Sequence, residues 1–362
     1  MKKIRLITFH TPKNYGAVLQ AYSLMSFLQN YSNDVAIIDF NTKHLRRMYS
    51  VFPRVNSVKS FLTLLYLFPT YYPKHVKFRR FEKFVKKHLI LTDRYESFAE
   101  LENAMKTEGV DIFITGSDQV FNPNRIEEER KAFFLSFVAP NKNKVSYAGS
   151  FGCKEIPIER KEEILGYLKG YKGISVREES GVKLLKNTYG IDAVCVVDPV
   201  LLNNRNFWTS ICIPYKKRNI SNYFLFYRLM NDKVIDERVS ELAREKGLEL
   251  VVITDGLCRI KGAKILRDVG PCEFLALYKD SRFVATDSFH GVVFSIVFQK
   301  QFVFVDTREN TNNRGLELLK KLQIDDKAYI ENRFSEINYE EVSPLLNSMI
   351  SISKQYIEGC IK

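Results

Sequence analysis

The sequence predicts an α/β protein made of two Rossmann-like parallel-sheet domains facing each other across a cleft. Three observations predict it. Short apolar runs alternate with stretches of helical spacing along most of the chain, the pattern of βαβ units and so of parallel sheets. The 362 residues suffice for two separate cores. A polar, irregular stretch, Leu201–Asn222, with Pro214 and the basic run Lys216–Arg218, divides the alternation into two sets.

The first set opens with a strand at Ile4–Phe9 and another at Val35–Phe40. Between them Val18, Leu19, Tyr22, Met25 and Leu28 recur at helical spacing. Asn14 is placed to cap that helix, and Gly16 lets backbone or ligand approach its start. A single glycine is not the GxGxxG fingerprint, so Asp39 at the end of the second strand reads as a strand terminus rather than a ribose ligand. Further strands are expected at Asp111–Thr115, Lys144–Ala148, Gly173–Val176 and Ala193–Val197. They end in GSDQVFNP, GSFG, REES and DP, and strand ends of this polarity suit a shared crevice. Helices are expected near Ile158–Leu168 and through Val182–Leu185.

The second set has strands at Tyr223–Arg228, Leu248–Thr254, Arg282–Asp287 and Phe302–Asp306. Helices at Val234–Lys246, Cys272–Lys279 and Gly291–Phe298 are interleaved, and others follow near Gly315–Leu322 and Tyr339–Tyr356. The boundaries read 1–200, with a helical insertion at about 43–94, then 201–335, then a C-terminal helix at 336–362 packing back.

Composition narrows the function classes. Apolar residues at 45% and charged residues at 27% are those of an ordinary globular protein. Lys2, Lys3 and Arg5 precede too few apolar residues for a secretory signal. The run Phe61–Phe68, closed by Pro69, falls short of the roughly 18 apolar residues a membrane span needs. Six scattered cysteines show no metal or disulfide spacing, so a cytoplasmic location is expected, with no metal and no cofactor. Net charge is +13, and residues 43–94 hold thirteen Lys or Arg against Glu82 and Asp93, with aromatics interleaved. A solvated helical face competes there with a surface for anionic lipid or lipid-linked phosphate at the inner face of the cell membrane. No nucleic-acid motif accompanies the patch, and nucleic acid is not expected as a partner.

The most pointed stretch is FVATDSFHG, Phe283–Gly291. A strand ending in Thr286, Asp287 and Ser288 turns at once into an apolar helix. The start of such a helix suits an anionic ligand, and His290 is the side chain there that titrates near neutrality. The competing reading is a histidine that only caps the helix.

NYGAVLQAYSL (Asn14–Leu24), GSDQVFNP (Gly116–Pro123), SVREESGVKLL (Ser175–Leu185), VDPVLL (Val197–Leu202) and TDSFHG (Thr286–Gly291) share an order and spacing. In these the chain resembles the polysaccharide pyruvyl transferase family. The resemblance implies a GT-B-like fold and transfer of a pyruvyl group from phosphoenolpyruvate to two sugar hydroxyls as a cyclic ketal. It implies acceptors among bacterial surface glycans or their lipid-linked precursors. It makes His290 the proton-transfer residue and Arg177 a catalytic cation, whose guanidinium fork suits phosphate or carboxylate. Pairing of Arg177 with Glu178 or Glu179 is the competing reading. By the same resemblance Asn14, Gly16, Gln20, Gly116, Ser117, Asp118, Gln119, Asp287, Ser288 and Arg314 are expected at the substrate. Well-studied members carry an arginine where Ser288 stands. Either another cation, such as Arg177, Arg228 or Arg314, takes its place, or the donor differs. Two other functions fit the same architecture. One is a glycosyltransferase using a nucleotide sugar, with Glu309 and Glu317 at a suitable spacing. The other is a catalytically silent glycan-binding protein.

Overall fold

The computed structural model describes residues 2–11, 14–48, 57–216, 220–256, 258–305, 313–328 and 335–362. Two compact units form. One comprises Met1–Tyr49, Val85–Asn203 and Leu346–Lys362; the other comprises Ser50–Phe84 and Asn204–Leu345.

In the first unit eight strands make one parallel sheet. They are β1 (Ile4–Ile7), β2 (Val35–Phe40), β3 (Leu91–Tyr95), β4 (Ile112–Asp118), β5 (Asn143–Gly149), β6 (Tyr171–Gly173), β7 (Ser175–Val176) and β8 (Val194–Cys195). The order is β3-β2-β1-β4-β5-β7-β8, with β6 also on β5. Ile4 of β1 pairs with Val35 on one side and Ile112 on the other, so the order reverses direction at β1 and β4. β1, β2 and most of β4 are buried without alternation, as strands covered on both faces must be. Helix Tyr15–Leu28 is capped by Asn14, whose side chain accepts from the Ala17 amide. Its composition is apolar nearly all round and it is buried to match. On the sheet, Phe121 stacks on Phe134 at 4.8 Å within an aromatic cluster. Truncating such a ring to alanine costs about 3–5 kcal/mol. The C-terminal helix Tyr339–Ile361 joins this unit through Ser353, which accepts from the Val197 amide at 2.9 Å, and Tyr356, which donates to Ser146 O at 2.8 Å.

The second unit has five parallel strands: β9 (Tyr223–Tyr227), β10 (Glu249–Ile253), β11 (Lys264–Leu266), β12 (Phe283–Thr286) and β13 (Gln301–Phe304). Their order is β11-β10-β9-β12-β13, reversing at β9 and β12. One face carries a ring cluster in which Phe274 meets Tyr227, Tyr278 and Phe294.

Three features differ from the sequence expectation. Residues 91–94 of the expected helical insertion lie in strand β3; an edge strand half open to solvent has no apolar run to announce it. The insertion's long helix, Val58–His88, belongs as far as Phe84 to the second unit. There Lys77 pairs with Asp255 at 2.7 Å and Arg80 donates to Asp268 O at 2.8 Å. Within the expected irregular stretch 201–222, helix Arg205–Ser210 forms because Trp208 is buried edge-on against Phe294 at 5.3 Å. Lys217 and Arg218 of the basic run lie outside the described residues. No helix among the described residues is long and apolar enough to cross a membrane.

Candidate active site

In an open parallel sheet the crevice for ligands lies outside the carboxyl ends of the strands, where the order reverses. Each unit has such a place, and most of the expected residues fall there.

In the first unit the reversal lies between β1 and β4. Gly116 is required by packing: a Cβ there would stand 2.7 Å from Tyr147 O and 3.1 Å from the Leu24 side chain. Asp118 ends β4 at φ +65°, and Ala148 on the neighbouring strand has φ +52°. Two non-glycine residues in the left-handed region at one sheet edge store strain of about 1–3 kcal/mol each. Hydrogen bonds hold them: Ser175 Oγ accepts from the Ala148 amide at 3.1 Å, and Asp118 Oδ1 accepts from the Gln119 amide at 2.9 Å. Ser117 is buried, its hydroxyl 3.4 Å from Asp198 Oδ2. Gln119 accepts from Asn122 Nδ2 at 3.3 Å.

Arg177 follows β7 with its side chain only 1% exposed. It donates to Asp198 at 2.8 Å and to Glu178 at 3.2 Å, and stands 3.7 Å from Asp118. Burial alone would lower its pKa; Glu178, Asp198 and Asp118 outweigh that and hold it above the ordinary value. The geometry is that of the ion-paired arginine, ordering three carboxylates, rather than of a cation open to a ligand. Gln20 is likewise enclosed. Its amide donates to Thr8 Oγ1 at 2.8 Å and Ala17 O at 3.0 Å, and Thr8 in turn reaches Ser117 O at 3.4 Å. Asn14 is exposed at its cap and Gly16 is buried in the first turn.

A cluster the sequence reading missed lies beside these. His10, just past β1, is buried against Asp39 at 3.0 Å, and Arg94 donates to the other Asp39 oxygen at 3.0 Å. Burial pushes the Asp39 carboxyl up, but His10 and Arg94 outweigh it and hold it below the usual carboxylate range. The pairing joins residues 29 positions apart, which no local pattern reveals. Asp198 was visible in the VDPVLL motif, though not its bond to Arg177.

In the second unit the reversal lies between β9 and β12. Ser288 caps helix Phe289–Val297, accepting from the Gly291 amide at 3.3 Å. A Cβ on Gly291 would fall 2.1 Å from Thr286 Oγ1, so only glycine lets the helix start so close to the strand. His290, in the first turn, is buried to 9% exposure and meets Phe289 edge-on. Asp287 is buried and accepts from the amides of Leu229 (2.8 Å) and Met230 (2.6 Å), tying the segment after β9 to that after β12. Burial pushes its carboxyl up to about 6, against the pull of those amides. Tyr227 is pushed up by burial and by Asp255 and Asp287. Arg228 is committed to Asp236 through two donors, at 2.6 and 2.8 Å. Arg314 opens helix Asn313–Lys321, half-buried, separate from Asp287, Ser288 and His290 in sequence and element. Glu317 lies on the same helix; Glu309 is outside the described residues.

Chemically, the second edge combines an imidazole, a hydroxyl and a carboxyl with a pKa near the working range at a helix N-terminus. Such a set can hold an anion and move a proton. Among the described residues no group of three or more His, Cys, Asp or Glu is placed to hold a metal ion.

The sequence profile of the family described as polysaccharide pyruvyl transferase matches residues 14–309. Among curated proteins none matches the sequence. Among solved structures, a putative UDP-N-acetylglucosamine 2-epimerase from Listeria monocytogenes is similar, with 11% identity, 98% of this chain and 91% of that chain covered, and a TM-score of 0.51. The Methanocaldococcus jannaschii UDP-GlcNAc 2-epimerase in complex with UDP-GlcNAc and UDP has 16% identity, coverage of 97% and 93%, and a TM-score of 0.47. UGT71G1 of Medicago truncatula complexed with UDP-glucose has 10% identity, coverage of 100% and 98%, and a TM-score of 0.49. At these identities the likeness concerns the fold, and that fold is GT-B-like, with two parallel-sheet α/β units.

Proposed function

The chain belongs to the polysaccharide pyruvyl transferase family, and from that premise we propose that it moves a pyruvyl group from phosphoenolpyruvate onto two hydroxyls of a sugar. The product is a cyclic ketal on a bacterial surface polysaccharide or its precursor, free or lipid-linked, made in the cytoplasm. The observation that carries the reading is His290 in the first turn of a helix that starts where the second sheet reverses, beside Asp287 and Ser288.

The reaction needs two hydroxyl protons removed and one proton delivered to the donor's methylene carbon. The first hydroxyl oxygen bonds to the enol carbon, and the π pair takes the proton at the methylene. The second oxygen then bonds to the same carbon as the C–O bond to phosphate breaks, and phosphate leaves with that pair. His290 takes up a hydroxyl proton as the general base. The helix N-terminus and the Ser288 hydroxyl suit the donor's anionic groups. Arg177 and Arg228 are spent on carboxylates. Asp118, partly open to solvent at the first sheet's edge, suits a sugar hydroxyl as a hydrogen-bond acceptor.

Helix Val58–His88 turns Tyr71, Phe81 and Phe84 inward and His75, Arg79, Lys83, Lys86 and Lys87 outward. That basic stripe supports peripheral contact with an anionic membrane, where a lipid-linked acceptor is held.

Phosphate release from phosphoenolpyruvate in the presence of glycan acceptors tests the reading, alongside a thermal-shift screen with pyruvate, phosphate and nucleotide sugars. Phosphoenolpyruvate should raise the melting temperature, and His290→Ala should cut turnover by about 10²–10⁴-fold while keeping that shift. Stabilisation by a nucleotide sugar and not by phosphoenolpyruvate would move the assignment to a glycosyltransferase. Near-normal turnover of His290→Ala would remove the histidine from it.

A further inference from the structure

Beyond β2, on the short helix Lys43–Met48, His44 is 46% exposed and its Nδ1 lies 2.7 Å from Glu129 Oε1. Glu129 is 1% exposed, on helix Glu127–Phe133 after β4. Its other oxygen accepts from Arg125 Nη1 at 3.2 Å. The Arg125 guanidinium lies 4.0 Å over the Phe9 ring, and its Nε reaches Gln119 O at 3.4 Å. Segments following three strands thus converge beside the reversal of the first sheet: Phe9 after β1, His44 after β2, and Gln119, Arg125 and Glu129 after β4.

The protonation pattern follows from this geometry. A carboxylate that already accepts from an arginine can only accept from the ring, so His44 Nδ1 donates. In the neutral imidazole that leaves Nε2 as an acceptor. A buried carboxylate fixing an exposed histidine by one nitrogen is the arrangement that presents the other to a ligand. The charges of Glu129 and Arg125 offset each other, so the cluster does not call for an anion. An acceptor nitrogen beside guanidinium donors, with little net charge, suits neutral hydroxyls.

We infer that His44, oriented by Glu129 and flanked by Arg125, forms a sugar subsite at the carboxyl edge of the first sheet, with Nε2 accepting from a hydroxyl. The inference rests on the transferase reading for what the sugar is, namely part of the acceptor. It needs no donor to be tested.

The test uses the full-length protein labelled with ¹⁵N-histidine. Long-range ¹H–¹⁵N spectra are recorded during titration with methyl α-D-glucoside, methyl β-D-galactoside and methyl α-D-mannoside, and with inorganic phosphate as the contrast. The His44 signals are assigned by their loss in His44→Gln. At least one hexoside should shift Nε2 saturably, and phosphate should not. Glu129→Gln, which keeps the size and removes the charge, should weaken that hexoside by about 3–10-fold. A thermal melt establishes that the variant is folded. If it is not, His44→Gln, at an exposed position, carries the test by isothermal titration and should lose affinity by the same factor. A saturable response to phosphate and none to any hexoside would overturn the inference, as would unchanged hexoside affinity in the folded variants. In turnover, His44→Gln should raise the acceptor KM and leave the donor KM unchanged. Absence of phosphate release by the wild type would count against the transferase reading alone, because the hexoside titration stands without the donor.

Discussion

Replacing Asp287 by asparagine should change the pH dependence of stability in a defined direction. Burial raises this carboxyl from 3.8 to about 6 in the folded protein, while in the unfolded chain it returns to its ordinary value. The folded state therefore binds the proton more tightly. The contribution of the group to stability is full below about pH 4 and is lost as pH rises through about 6. A shift of roughly two units corresponds to about 3 kcal/mol between those limits. The side chain is almost fully buried, so solvent screening removes little of it.

Asparagine does not titrate and carries no such slope. Whatever the variant loses in bonds to the Leu229 and Met230 amides is the same at both ends of the range. The difference in unfolding free energy, variant minus wild type, should thus rise by about 2 to 2.5 kcal/mol between pH 4 and pH 7. Trp208, the one tryptophan of the chain, is buried in this same unit, so its fluorescence during urea unfolding reports the relevant transition. Parallel stability curves for wild type and Asp287→Asn across that range would refute the reasoning. They would mean that the amides of residues 229 and 230 stabilise the carboxylate enough to cancel its burial.

Arg177→Ala should destabilise the first unit by about 3–5 kcal/mol, because it strands Asp198 and Glu178 without their cation. Hydrogen exchange at the Ser175 and Val196 amides reads this directly, and adding Asp198→Asn should restore part of the loss. Intact exchange protection with lost donor binding would make Arg177 a ligand contact after all. For the outward stripe on helix Val58–His88, co-sedimentation should show binding to anionic vesicles that weakens with salt and is reduced in an Arg79→Gln, Lys83→Gln, Lys86→Gln variant. Equal binding to neutral vesicles would remove the electrostatic explanation.

Local chemistry made one part of the molecule legible from sequence and long-range pairing hid another. Strands β1, β2, β9 and β12 are buried along their whole length and largely apolar because both faces are covered, and such runs announce themselves even where Arg5 or Asp39 interrupts them. The cap at Asn14 and the strand-to-helix turn at Ser288 were readable for the same reason: donor and acceptor lie within three residues. Strands β3 and β11 were not, since edge strands lack that burial on both sides. Helix Val58–His88 was legible as a helix but not in its allegiance, which Lys77 and Arg80 fix by pairing with residues almost two hundred positions away.

The same division runs through the candidate site. A motif shows which side chains reach a sheet edge; it does not show which of them are already engaged. Arg177 and Arg228 look alike in sequence as cations at strand ends, and both prove to be occupied, one by Asp198 and Glu178, the other by Asp236. His44 carried no sequence signal, yet Glu129, 85 residues on, fixes one ring nitrogen and so defines the role of the other. Burial and partnership are properties of pairs distant in sequence, so they separate ordering residues from ligand-facing ones only once the fold is known. By that criterion Arg177, Arg228, Asp198 and Asp236 are ordering residues, each engaged with a charged partner.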